Sequence, residues 1–128
     1  MSKNQKKILI IEDDKFLAKM LGNLLESNGY EVVYASNGRE GLLKVAEKPD
    51  LVLLDIILPD LNGFDLLESI KSEKETSKVP IVIISNLGQT EDITQGKQLG
   101  AKDYIVKSET SLDDVVLKVK RLLTKSRK

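Results

Sequence analysis

The sequence of 128 residues contains no cysteine and no histidine. Without cysteine the chain cannot form disulfides, thiolate zinc sites or a cysteine nucleophile. Without histidine it cannot hold a serine–histidine triad, a histidine–zinc site or a phosphohistidine of its own. A chain free of cysteine is typical of a reducing compartment, and we expect a cytoplasmic protein.

The sequence also lacks an excess of charge and any long apolar run. Twenty basic and twenty acidic residues give a formal net charge of zero. Nothing therefore favours direct nucleic-acid binding, because no surplus of basic charge exists to neutralise phosphates. No apolar stretch approaches the ~20 residues of a transmembrane helix, and the basic start "MSKNQKK" leads directly into a strand-like run rather than a secretory signal. We expect no membrane association.

What the sequence does contain is an alternation of β-rich runs and amphipathic helical stretches. The predicted strands are 7–11, 30–36, 50–55, 81–85 and 103–106. The predicted helices are 15–28, 64–74, 89–100 and a last one that begins after residue 111, and the segment 37–48 is predicted as a turn followed by a helix. Asp14 and Ser111 are predicted to cap the first and last helices.

Five strand–helix units predict one α/β domain, a doubly wound parallel sheet with helices on both faces. The domain spans residues 1–128, with a core at about 7–123 and basic ends at 1–6 and 124–128. The segment 89–100 has only Ile93 and Leu99 as large apolar residues. We therefore expect a poorly anchored, mobile helix there.

Polar residues stand where the predicted strands end. In parallel sheets of this kind, ligands bind beyond the carboxyl ends of the strands. If the first and third strands are neighbours, three carboxylates share one pocket and Asp14 turns away to its helix. The residues at the four strand ends are Glu12-Asp13-Asp14, Asp55, Ser85-Asn86 and Lys107-Ser108.

Clustered carboxylates repel one another unless a cation is present. Hard oxygen ligands at a shallow rim suit Mg²⁺, which pairs one or two carboxylates with phosphate oxygens. A lysine and a hydroxyl, here Lys107 and Ser85, suit a phosphoryl group. Aspartate is a known nucleophile for phosphoryl transfer, so the pattern indicates a phosphoryl group carried by a carboxylate.

From about Lys7 to Leu123 the chain resembles the receiver domains of bacterial two-component response regulators. The matching motifs are the Glu12-Asp13 pair, "LLDIILPDLNGFDLL" around Asp55, Ser85 after "IVII", "GAKDY" and Lys107. The resemblance implies a flavodoxin-like (βα)₅ fold with strand order 2-1-3-4-5.

The same resemblance implies that Asp55 accepts a phosphoryl group from the phosphohistidine of a sensor histidine kinase or a phosphotransfer protein. It implies Mg²⁺ as cofactor, bound by Asp13, Asp55 and the backbone carbonyl of Ile57, with Glu12 acting through a metal-bound water.

Lys107 would pair with the phosphoryl group and Ser85 would hydrogen-bond it. Tyr104 matches an aromatic switch that moves inward as Ser85 is drawn to the phosphate. The readout face for a downstream protein would then be the fourth helix, fifth strand and fifth helix. The expected protein is a free-standing receiver or a piece of a longer chain.

Three departures from the family pattern matter. Ser108 replaces a proline that commonly follows a cis bond; we expect either a trans bond with altered loop geometry or a cis bond, which costs ~3–4 kcal/mol without proline. Asn86 replaces a small residue beside the site. Apolar Ile57 and Leu87 cannot orient an attacking water, so we expect slow autodephosphorylation.

Two other classes of function compete with a phosphorylated receiver. One is a degenerate receiver that acts as a protein-interaction module, which Asn86 and Ser108 alone encourage. The other is an enzyme, and it is weakly supported. A phosphatase of the haloacid-dehalogenase type needs a second aspartate where this chain has Ile57, and a flavin domain needs a Ser/Thr/Gly-rich loop where this chain has three acids. We expect no catalysis beyond the chain's own phosphoryl transfer and autodephosphorylation.

Overall fold

The computed structural model describes residues 5–125 and has one five-stranded parallel sheet. Its strand order is β2-β1-β3-β4-β5, as the resemblance implied. Short apolar runs form these strands, and every residue of β3 and β4 is buried because helices cover both faces of the sheet. The strands are β1 Lys7–Ile11, β2 Glu31–Ala35, β3 Leu51–Leu54, β4 Ile81–Ser85 and β5 Asp103–Val106.

A helix follows each strand, and the five helices divide between two apolar cores. Alternate residues of each strand face opposite sides of the sheet, so Leu9 and Ile11 belong to one core and Ile8 and Ile10 to the other. Helices α2, α3 and α4 contribute to the first core, and α1 and α5 to the second. The helices are α1 Lys15–Ser27, α2 Gly38–Val45, α3 Gly63–Ser72, α4 Thr90–Gln98 and α5 Leu112–Lys125.

Side-chain caps explain where the helices begin. The Asp14 carboxylate accepts the N–H groups of Phe16 and Leu17, each at 3.1 Å, as predicted for the start of α1. The Ser111 hydroxyl accepts the N–H of Asp114 at 3.1 Å, which confirms the predicted cap of α5.

The structure differs from the prediction mainly at helix ends. Helix α3 begins at Gly63, one residue earlier than predicted, because the Asn62 side chain caps it, and it ends at Ser72 rather than residue 74. Helix α2 ends at Val45, three residues before the predicted end. The basic ends predicted at 1–6 and 124–128 lie mostly outside the described residues. Within residues 5–125, no helix is long and apolar enough to span a membrane.

Candidate functional site

The three acids after β1 have two different roles. Glu12 continues the line of β1, and its backbone N–H donates to the carbonyl of Ala35 at 2.9 Å. Its side chain is only 4% exposed, and one carboxylate oxygen accepts the N–H of Asp14 at 3.0 Å. Asp14 turns away and caps α1 as predicted, which leaves Glu12 and exposed Asp13 at the strand end.

Asp55 occupies the same position after β3 and is also 4% exposed. Its N–H donates to the carbonyl of Ile11 at 2.9 Å, and its carboxylate accepts the N–H of Ile57 at 3.0 Å. Because β1 and β3 are neighbours, carboxylate oxygens of Glu12, Asp13 and Asp55 all lie within 4.8 Å of one another. The predicted acidic pocket is therefore present, and its hard oxygen donors fit a divalent cation such as Mg²⁺.

Lys107 neutralises part of this acidic cluster from the end of β5. Its ammonium nitrogen lies 2.8 Å from Glu12 Oε1 and 2.9 Å from Asp55 Oδ2. Burial lowers the pKa of Lys107, but its hydrogen bonds to the two carboxylates outweigh that effect and raise the pKa overall. Lys107 is therefore held in its charged form between two acids.

The pKa of Glu12 is raised as well, but in an acid a raised pKa favours the neutral form. Burial, aided by the charge of Asp55, raises the pKa of Glu12 to about 7, although the hydrogen bonds from Lys107 and Asp14 act to lower it. Three acids and one lysine leave excess negative charge in the cluster, and burial shifts Glu12 toward its neutral form.

Ser85 and Tyr104 lie on neighbouring strands beside the cluster. Ser85 has no exposed surface, and its hydroxyl accepts the N–H of Leu87 at 3.2 Å. Tyr104 is 8% exposed and its hydroxyl donates to the carbonyl of Leu87. The tyrosine ring is therefore turned inward, and one residue, Leu87, connects it to the serine.

The rim of the site combines apolar and polar side chains. Ile57 is 56% exposed and, with Leu87, lines a cavity of about 390 Å³ formed mainly by the loop between β3 and α3. Asn86 and Ser108 are exposed. The Lys107–Ser108 bond is trans, the first of the two alternatives, and residues Lys107–Glu109 form a short 3-10 helix.

Sequence reasoning missed Asp60, which lies in the loop between β3 and α3. Its carboxylate accepts the N–H of Gly38 at 2.7 Å and the N–H of Arg39 at 3.0 Å. The bond from Gly38 is the main cause of a lowered pKa at Asp60. An acid inside "LPDLNG" carries no signal of a partner more than twenty positions away, so the pattern indicated only a turn.

Comparison with known proteins identifies the family. Residues 8–120 match the model of the response regulator receiver domain. The chain belongs to this family and is a receiver domain of the two-component response regulators.

Relatives and solved structures agree with that assignment. The chain is 40% identical to protein PilH of Pseudomonas aeruginosa over 102 residues, which cover 79% of this chain and 84% of that protein. A two-component response regulator from Clostridium difficile superposes with a TM-score of 0.89 at 33% identity over 97% of this chain and all of that one. A CheY-like receiver domain from Methanospirillum hungatei gives 0.88 at 31% identity, covering 96% of this chain and 97% of that one.

Several relatives are longer than this chain. The DNA-binding dual master transcriptional regulator RpaA of Synechocystis is 34% identical over 121 residues, 94% of this chain but only 50% of that regulator. In RpaA and six other curated relatives, the chain spans 40–51% of the relative's length. The match therefore concerns their receiver portion.

Proposed function

We propose that Asp55 is the phosphoacceptor of this receiver domain. The observation that carries the proposal is a single arrangement: three carboxylates within 4.8 Å of one another, with Lys107 bonded to two of them. An Asp55 carboxylate oxygen forms the new bond to phosphorus. The bond from phosphorus to the donor nitrogen breaks, and its electron pair stays on that nitrogen.

The donor must be another molecule, because this chain contains no histidine. A phosphohistidine of a sensor histidine kinase or of a phosphotransfer protein supplies the phosphoryl group. Lys107 already lies 2.9 Å from Asp55, and its ammonium group would pair with the phosphoryl oxygens after transfer. The Ser85 hydroxyl would donate a hydrogen bond to one of the same oxygens. A downstream protein then reads the altered surface.

We propose that Asp13, Asp55 and the backbone carbonyl of Ile57 hold Mg²⁺, with Glu12 acting through a bound water. The support is the oxygen donor set and its excess negative charge, which one lysine does not balance. When bound, the ion neutralises charge on the acids and on the transferring phosphoryl group. Glu12 must then carry its negative charge, against the effect of burial.

The proposed switch connects the site to the face formed by α4, β5 and α5. Ser85 and Tyr104 are both hydrogen-bonded to the backbone of Leu87. When Ser85 forms a hydrogen bond to the phosphoryl group, the backbone at Leu87 shifts, and the Tyr104 hydroxyl that is bonded to it shifts as well. Helix α4 follows directly and buries only Gly96. An element with so little buried surface is suited to shift between two states.

The phosphoaspartate should be long-lived. Ile57 and Leu87 occupy the positions from which a side chain would orient an attacking water, but both are apolar, and together they line one cavity. A half-life of hours in buffer after removal of the phosphodonor supports this proposal, and a half-life of seconds contradicts it. Ile57→Asn, which adds a polar amide at the exposed rim, should shorten the lifetime.

The decisive experiment is intact-mass analysis after incubation with acetyl phosphate and Mg²⁺. The parent should gain one phosphoryl mass, whereas Asp55→Asn should gain none, and excess EDTA should prevent labelling of the parent. Asp65→Asn is a matched control, because Asp65 is an exposed acid in the first turn of α3. It should label like the parent.

Failure of the parent to label would favour a receiver that acts only as a protein-interaction module. Beryllofluoride with Mg²⁺ separates the possibilities, since it binds a competent site without any transfer. If it also leaves the amide spectrum unchanged, the proposed phosphoacceptor function is wrong. Asn86 and Ser108 would then be the first residues to replace.

A further inference from the structure

We propose that Asp60 is a positioning residue for the metal site. It anchors the loop between β3 and α3 to the N-terminus of α2, and so holds the backbone carbonyl of Ile57 where Mg²⁺ is bound. The inference rests on the proposed function and adds a residue that contacts neither the metal nor the phosphoryl group.

The hydrogen bonds that the loop forms within itself are all local. The N–H of Ile57 donates to Asp55 at 3.0 Å, an isolated antiparallel bridge joins Ile57 to Asn62, and the N–H of Gly63 donates to the carbonyl of Ile56 at 2.8 Å. These contacts fix the shape of the loop. Leu58 and Leu61 also pack against the apolar core, but none of these contacts gives the loop a hydrogen bond to α2.

Asp60 adds that connection because its hydrogen-bond partners lie in α2. Its two carboxylate oxygens accept the N–H groups of Gly38 and Arg39, at 2.7 and 3.0 Å. The first N–H groups of a helix have no partner inside the helix. The Asn37 side chain serves only the N–H of Glu40, so Asp60 supplies the acceptors for the first two helical residues.

Packing and charge support the same contact. A Cβ atom at Gly38 would lie 2.7 Å from Leu61 Cδ1, so glycine is needed there for the loop to approach α2 this closely. A carboxylate at a helix N-terminus is also favoured by the helix dipole. The bond from Gly38 is the main cause that lowers the pKa of Asp60, so this contact favours the charged form of the residue.

Helix α2 is itself tied to the acidic cluster. The N–H of Ser36 donates to Glu40 at 2.9 Å, and the carbonyl of the preceding residue, Ala35, accepts the N–H of Glu12 at 2.9 Å. A closed ring of contacts therefore runs from Glu12 through the end of β2 and α2 to Asp60, and back through the loop to Asp55. Asp60 is the only member of this ring that joins the loop to α2 by side-chain hydrogen bonds among the contacts described for residues 5–125.

The test compares Mg²⁺ binding by the parent, Asp60→Ala, Asp60→Asn and Glu68→Ala, each as the full chain labelled with ¹⁵N. Mg²⁺ dissociation constants come from amide shift titrations, and stability comes from urea unfolding. Asp60→Ala should weaken Mg²⁺ binding about tenfold, the lower end of the loss typical for groups that support metal ligands. Asp60→Asn keeps one acceptor oxygen and should fall between the parent and Asp60→Ala. Glu68→Ala removes an exposed acid of α3 and should match the parent.

A purely structural role for Asp60 would lower stability in urea and leave the Mg²⁺ constant of the folded protein unchanged. That result would overturn the inference and leave the proposed function intact, because the parent would still bind Mg²⁺ and accept the phosphoryl group. A parent that shows no response to Mg²⁺ would overturn both. Support requires the graded order from parent through Asp60→Asn to Asp60→Ala.

Discussion

Helices α1 and α4 each follow a strand that carries site residues, yet they are held very differently. Helix α1 buries Ala18, Leu21, Gly22 and Leu25, one full face of the helix. Helix α4 buries Gly96 alone, with Ile93 and Leu99 of its region only partly covered. Helix α1 is therefore an integral part of the core, whereas α4 packs only loosely against it.

This difference fits the division of labour proposed for the molecule. The acids that would hold Mg²⁺ follow β1 and β3, whose residues are almost all buried, so the backbone that carries these acids is firmly held. The proposed readout belongs to the helix that costs least to displace. A signalling domain needs both a firmly held site and an element that can move, and this fold places them in different parts of one domain.

Removing a buried side chain from α1 should have the largest effect on stability. Leu25 has no exposed surface, and its truncation leaves a cavity that the packed sheet cannot fill. We expect Leu25→Ala to lower the free energy of unfolding by about 3 kcal/mol, measured by urea denaturation. A loss below about 1 kcal/mol, the effect of an average substitution, would contradict the description of α1 as a core helix.

The raised pKa of Glu12 should make the stability of the domain depend on pH. The folded-state pKa of Glu12 is about 7 against an ordinary value of 4.5. The folded chain therefore binds this proton more tightly than the unfolded chain does. The resulting stabilisation is fully present below pH 4.5 and is lost as pH rises through 7.

Without Mg²⁺, we expect the free energy of unfolding to fall by about 2 kcal/mol between pH 5 and pH 7, at about 1.4 kcal/mol per pKa unit of difference. Glu12→Gln mimics the protonated form and should abolish this fall. Urea unfolding across that range in EDTA measures both chains. A parent whose stability is flat or rises over the same range would show that Lys107 compensates Glu12 fully.

A matched pair of glycines tests the two helices directly. A Cβ atom at Gly22 would lie 1.9 Å from the Tyr34 hydroxyl, and one at Gly96 would lie 2.6 Å from Ile83 Cδ1 and 3.0 Å from the Tyr104 ring. Tyr34 is half-buried on the edge strand β2 and can turn toward solvent. Ile83 and Tyr104 are buried and cannot easily do so.

We therefore expect Gly96→Ala to lower the free energy of unfolding by about 1 kcal/mol, since overpacking outweighs the gain in helix propensity. Gly22→Ala should cost less. Gly96→Ala should also shift the NMR resonances of the Tyr104 ring, which Gly22→Ala should leave in place. Stabilisation by Gly96→Ala would mean that α4 moves away from the sheet without cost.

The sequence predicted the sheet and the acidic pocket for a physical reason. Runs such as "LVLL" and "IVIIS" are apolar on both faces, which only a covered strand tolerates, and the ends of parallel strands share one edge. Asp55 and Lys107 could therefore be placed at one edge of the sheet from the strand pattern, whereas the strand order that makes β1 and β3 neighbours came from the family resemblance. Asp14 and Ser111 were predicted as caps because a capping side chain acts within three residues of itself.

Contacts between distant loops could not be predicted in this way. The hydrogen bonds from Gly38 and Arg39 to Asp60 depend on the distance between the loop after β3 and the start of α2. A local sequence pattern does not predict that distance. The alternatives for the Lys107–Ser108 bond likewise stayed open until the geometry of the turn was known. In both cases the deciding information is the relative placement of two elements.

Truncating an apolar side chain of α4 should affect overall stability much less than Leu25→Ala does. Ile93 is half-buried and packs against the core from α4. Because solvent already reaches this side chain, Ile93→Ala should lower the free energy of unfolding by well under 2 kcal/mol, below the range for buried isoleucine. Its local effect should be larger than its global one, since α4 has few other apolar contacts.

Amide hydrogen exchange separates these two effects. In Ile93→Ala, exchange should quicken across Thr90–Gln98 and remain near the parent rate in β1 and β3, whereas Leu25→Ala should quicken exchange throughout the slowest amides. Uniform acceleration in Ile93→Ala would show that α4 unfolds only together with the whole domain. The proposed readout could then not rest on a separate movement of this helix.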